Sequence, residues 1–166
     1  MSLAPFLAAS PLIQIHAAAA TLALVLGPVV IFRRRRDALH KQLGYVWVTF
    51  MALAALSSFG IWGFGVIGPF SPIHILSVLA LWTLWTSIRA ARARDIRRHE
   101  LALRNLYWRG LIVAGLLNFL PGRSTNRSFF PENPAFGWVV IGVGLTLLAL
   151  PILRNVARQN LLPKNV

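Results

Sequence analysis

Four histidines, His16, His40, His74 and His99, are the only strong nitrogen ligands in a chain of 166 residues that contains no cysteine. The lack of thiols rules out disulfides, zinc–thiolate sites, iron–sulfur clusters and thiol catalysis. Two imidazoles on facing helices can supply both axial ligands of a haem b, whose macrocycle needs an apolar slot between them. The expected ligand pairs are His16 with His74 and His40 with His99. Other chemistry has few parts to work with. The four acids are Asp37, Asp95, Glu100 and Glu132, and all of them lie outside the apolar stretches. A carboxylate relay or a cation-coupled transporter therefore lacks its usual mid-span acids. No phosphate-binding glycine loop, serine-nucleophile elbow or paired-histidine zinc motif is present.

The histidines must be positioned by very apolar elements. Hydrophobic residues make up 57% of the chain and charged ones 13%, about half the usual globular share. Five apolar segments give expected spans at 11–32, 43–67, 73–92, 103–120 and 136–153, the third and fourth extending short apolar cores, Ile73–Ile88 and Leu106–Leu120, by snorkelling arginines. Most of these suit the roughly 20 residues that a bilayer span requires. The expected fold is all-α, a single polytopic transmembrane domain over residues 1–166 with five spans. Gly27-Pro28 should kink the first span. Gly60, Gly63, Gly65 and Gly68 form a small-residue stripe on the second, and 68–72 reads as a tight turn. No cleavable leader is expected, because the first apolar block runs straight into Arg33-Arg34-Arg35-Arg36.

The net charge of +13 would point to nucleic acid in a soluble domain. Here the basic residues flank apolar blocks, so no nucleic-acid partner is expected. Fifteen of the 17 lie on one side of the five-span layout, leaving Arg123 and Arg127 on the other. The positive-inside rule then places the N-terminus in the periplasm and the C-terminus in the cytoplasm of a bacterial inner membrane. Arg33–Arg36, Lys41, Arg97 and Arg98 are candidate partners for haem propionates. Trp47, Trp62, Trp82 and Trp85 are candidates to line a cofactor slot, although packing and interface roles compete for them.

The chain also reads as one helix pair used twice. At an offset of 58, Pro11 meets Pro69, His16 meets His74, Arg36 meets Arg94 and Asp37 meets Asp95. One inserted residue then brings His40 onto His99. Two such units would be parallel repeats about an axis along the membrane normal. That axis would make a four-helix core with the fifth span peripheral. It would set His16 against His74 near the outer face and His40 against His99 near the inner one.

Three motifs carry a family resemblance: His16 with Gly27-Pro28, His40-x-x-x-Gly44-Tyr45, and Asp95-x-x-x-His99. Together they resemble the DUF2306 group of small bacterial membrane proteins, over about residues 11–120. In general plan the chain is similar to the b561-type di-haem cytochromes, and that likeness implies a four-helix core with two bis-histidine haems. The match is in plan and not in sequence, and the inner histidines here stand very near the interface. The function expected is a haem b-binding electron-transfer protein with a quinone or redox protein as partner. If the chain is an enzyme, transmembrane electron transfer is its reaction. The competing reading is a non-catalytic accessory subunit of a larger membrane complex. A small transporter comes third. Membrane lipid is a partner on every reading.

Overall fold

The computed structural model describes residues 2–61 and 72–161. Its elements are α1 (Ala4–Leu7), α2 (Pro11–Phe32), α3 (Ala38–Ser58), α4 (Pro72–Arg92), α5 (Ile96–Asn105), a π-helical segment (Leu106–Ile112), α6 (Val113–Leu117), α7 (Ser124–Phe129) and α8 (Phe136–Leu161). The described residues are helical with no strand, as expected. Gly63, Gly65 and Gly68, Trp62, and the 68–71 part of the expected turn lie outside the described residues. The helices group into two compact units, Leu7–Ala114 and Met1–Phe6 with Gly115–Val166.

The expected count of five spans is met only in part. α2 has 22 residues, and an 18-residue stretch of it has a mean hydropathy of 2.2, long and apolar enough by itself to cross a bilayer. In α8 the apolar run is shorter, Phe136–Pro151. α3 and α4 are 21 residues each but open or close on His40-Lys41 and Arg89–Arg92, which lowers their apolarity. α5 is strongly amphipathic, with Arg97, Arg98 and Arg104 on a ten-residue helix.

In the first unit α2 packs on α3, α3 on α4, α4 on α5, and α2 on the π-helical segment that continues α5. These contacts close a ring. α2 and α4 take one diagonal, and α3 and α5 with its continuation take the other. This is the arrangement a tandem helix pair would give, because equivalent helices fall on opposite corners. Local detail agrees. Asp37 caps α3 by accepting from the His40 backbone N–H at 3.0 Å, and Asp95 caps α5 by accepting from Arg98 N–H at 3.0 Å. Both caps satisfy donors that an uncapped helix leaves open.

The centre of the ring holds Ala23, Val30, Trp47, Met51, Leu84 and Tyr107, all buried. Pro28 sits inside α2 and has no N–H, so the Leu24 carbonyl one turn earlier loses its helical donor. Tyr107 replaces that donor, its hydroxyl donating to Leu24 O at 3.1 Å. Its ring occupies the space a side chain on Gly27 would fill. Trp47, wholly buried, donates its indole N–H to Ala23 O at 2.8 Å. The site of the expected kink in α2 is therefore a socket, with Gly27 giving the room and Pro28 freeing the acceptor. Gly60 similarly lies where a Cβ would run into the Leu12 side chain of α2.

The second unit is organised around Asn126, which is wholly buried. Its amide donates to Phe119 O at 2.7 Å and to Pro134 O at 2.9 Å, tying together both ends of the loop before α8. Phe119, Phe129, Phe130 and Phe136 pack on one another in the same unit, edge to face or tilted. Gly137 leaves room for the Phe119 carbonyl and the Asn126 amide.

Candidate functional site

The four histidines all belong to the first unit. His16 is half-buried on α2. Its Nδ1 lies 2.9 Å from Ala54 O and 3.1 Å from Ser57 Oγ, both on α3. A carbonyl can only accept, so Nδ1 carries a proton and donates. His99 repeats this pattern on α5. Its Nδ1 lies 3.1 Å from Ser87 O and 2.9 Å from Ser87 Oγ, and Ser87 is wholly buried on α4. An imidazole fixed at Nδ1 by a backbone carbonyl is oriented for coordination through Nε2, the usual outer support of a metal-ligating histidine.

His40 sits on the first turn of α3, ahead of the apolar run that starts at Leu43. Its Nδ1 is buried with no hydrogen-bond partner. Burial, then the positive charges of Arg36, His99 and Arg33, push its ring below the ordinary histidine range, while Asp37 pulls the other way. His99 thus lies within electrostatic reach of His40, and the inner pair named from the sequence shares one end of the bundle. His74 is buried on α4 with its ring stacked on Phe59, centroids 5.8 Å apart. His16 and His74 each reach the C-terminal end of α3. There the Ser58 and Ser77 hydroxyls meet at 2.6 Å and join α3 to α4. Ala19, Ala54, Ala55 and Ala80 are buried in the turns just inside these residues, so small side chains surround this end.

The charged candidates divide. Arg33 is held by Asp37 at 2.6 Å, and Arg36 pairs with Glu100, fastening the end of α2 to α5. Arg34, Arg35, Lys41, Arg97 and Arg98 are exposed. The Arg33 hydrogen bond, followed by the His40 backbone N–H, holds the Asp37 carboxyl down at about 2. The tryptophan candidates are corrected. Trp82 and Trp85 are exposed, with Arg89 stacked over Trp85 at 4.8 Å, so they face away from the bundle interior. Trp47 is a core residue. Among the described residues no three His, Cys, Asp or Glu side chains converge on one point.

The donor chemistry fits a bis-imidazole haem. Two rings, His16 and His99, are fixed at Nδ1 by backbone carbonyls, and a third, the half-buried His40, keeps a buried Nδ1 without a hydrogen bond. Ser57 and Ser87, which hold the His16 and His99 rings, and Tyr107 were not singled out by the sequence. A freed carbonyl four residues before Pro28 is the one sequence signal that calls for such a buried donor.

Compared with protein families, the chain matches the model described as DUF2306, predicted membrane protein, over residues 13–152. Comparison with curated proteins and with solved structures finds no significant match.

Proposed function

This chain belongs to the DUF2306 family of predicted membrane proteins, and from that premise we propose that it binds haem b through paired histidines and carries electrons across a bacterial inner membrane. The outer ligands would be His16 and His74, the inner ones His40 and His99. The observation that carries this reading is the clamp on His16 and His99: each Nδ1–H is spent on a backbone carbonyl of a neighbouring helix, the support that a coordinating imidazole usually has. The five spans, with the N-terminus periplasmic and the C-terminus cytoplasmic, belong to the same proposal and rest on the basic-residue bias.

Bound haem would supply the one-electron redox couple. The protein's own part is to hold and to insulate. Ala54 O and Ser57 fix the His16 ring, and Ser87 fixes His99, so neither must reorganise when the charge on a ligand changes. Trp47 and Tyr107 close the middle of the bundle with hydrogen-bonded rings and keep water out of the space between the two ends. Arg34, Arg35, Lys41, Arg97 and Arg98 leave the inner end positive, which favours the reduced state and anionic side groups there. A quinone or a redox protein must serve as donor or acceptor.

The test is haem content per polypeptide in four single variants, His16→Ala, His74→Ala, His40→Ala and His99→Ala. Loss of about one haem within each pair, with the other pair unaffected, is the expected result. Unchanged content in all four overturns the assignment.

A further inference from the structure

We propose that the turn between α4 and α5, with the first turns of α5, is a binding site for the head group of an anionic phospholipid. The turn is built for something other than its own stability. Asp95 N–H bonds to Ala90 O at 2.9 Å and Arg94 N–H to Ala91 O at 3.1 Å, the two bonds of a Schellman ending. The residue at its left-handed position is normally glycine. Here it is Arg94, with φ of 60°, the only non-glycine positive φ among the described residues. A side chain is strained in that conformation, and the strain puts an exposed guanidinium at this end of the bundle.

Arg97 and Arg98 follow within a turn, both exposed. With Leu101, Ala102 and Asp95 they line a shallow groove of about 350 Å³. Guanidiniums beside an apolar wall match a phosphate joined to the start of an acyl chain. Of the acids nearby, Glu100 is paired with Arg36, and Asp95, which keeps its charge at the groove while accepting from the Arg98 backbone N–H, is outnumbered by Arg94, Arg97 and Arg98. Exposed Arg34, Arg35, Lys41 and Arg92 add to the positive field, and the whole chain carries +13. The groove sits on the amphipathic start of α5, at the bundle end where Arg36 and Glu100 join α2 to α5, which the proposed span layout puts at the level of the lipid head groups. This site stands whether or not the histidines bind haem.

The experiment is thermal unfolding of the full chain in neutral detergent, with phosphatidylglycerol, phosphatidylcholine or inorganic phosphate added. Phosphatidylglycerol alone should raise the midpoint. Arg97→Gln and Arg98→Gln should each weaken the apparent affinity about fivefold. Arg94→Gly separates binding from folding: it should raise the midpoint without lipid and shrink the rise that phosphatidylglycerol gives. Equal stabilisation by phosphatidylcholine overturns the proposal, as does a phosphatidylglycerol effect that survives all three substitutions. An effect of inorganic phosphate matching that of the lipid would assign the groove to a free anion instead and overturn it too.

Discussion

At the scale of single residues, the middle of the bundle depends on two aromatic donors and one missing N–H. Pro28 leaves Leu24 O open, and Tyr107 fills it. Tyr107→Phe keeps the ring but abandons a buried carbonyl, so it should cost about 1 kcal/mol in detergent unfolding. Gly27→Ala should cost more, about 1–3 kcal/mol, because the new methyl group enters the Tyr107 ring position. If Gly27→Ala is as stable as the parent, Tyr107 does not occupy that socket. Asp37 makes a pH prediction. Its carboxyl is held below the ordinary value of 3.8, at about 2, so the folded state gains from its ionisation. That gain is complete above the ordinary value and fades as pH falls through it toward 2. Asp37→Asn should flatten this acid limb of stability; an unchanged limb would place its origin elsewhere. The histidine positions were legible in the sequence, since four such residues in an apolar chain stand out. Their partners were not. Ser57 and Ser87 are ordinary helix residues until the packing shows which carbonyl and hydroxyl lie beside each ring.

Among the elements, the repeated helix pair is where sequence and structure meet most closely. The offset of 58 that aligns Asp37 with Asp95 also aligns two equal helix caps, each accepting at 3.0 Å from the N–H three residues on. The ring of α2, α3, α4 and α5 then puts the equivalent helices on diagonals. The two pairs differ in how the second helix continues. α3 runs on as a regular helix through its core residues, whereas α5 widens into a π-helical segment at Leu106–Ile112, which carries Tyr107 to the Gly27 socket. A π segment holds one extra residue in its turn, and nothing in local propensity marks that position. Deleting one residue from 106–112 should restore a regular helix and rotate Tyr107 out of the socket. The deletion should then destabilise at least as much as Tyr107→Phe by the same unfolding measurement, and a milder effect would mean that the segment is not what places the ring. The turn before α5 has the opposite character. Arg94 in a left-handed conformation costs about 1 kcal/mol relative to glycine, so the lipid-free protein should gain that much with Arg94→Gly.

For the whole molecule, the sequence spoke clearly about class and less clearly about crossings. A hydrophobic content of 57% with long uncharged blocks reads as membrane, and membership of a family of predicted membrane proteins agrees. The five-span count rests on blocks that the folded chain treats unequally. α2 is apolar along its whole length, while α3, α4 and α5 mix their apolar faces with basic and hydroxyl residues that pack or pair. Hydropathy averages those faces together, so it cannot separate a span from an amphipathic helix. Because the chain has no cysteine, single cysteines can report topology directly. Ser2→Cys should react with an impermeant maleimide added to intact cells, and Asn165→Cys only after lysis; the reverse pattern would invert the proposed orientation. In the proposed function the bundle holds haem between paired histidines. The most direct test is the visible spectrum of the purified protein in detergent, before and after dithionite. A Soret band that shifts on reduction, with sharp α and β bands of a low-spin bis-imidazole haem, is the predicted result. A colourless preparation, still colourless after haem is supplied during expression, would contradict it.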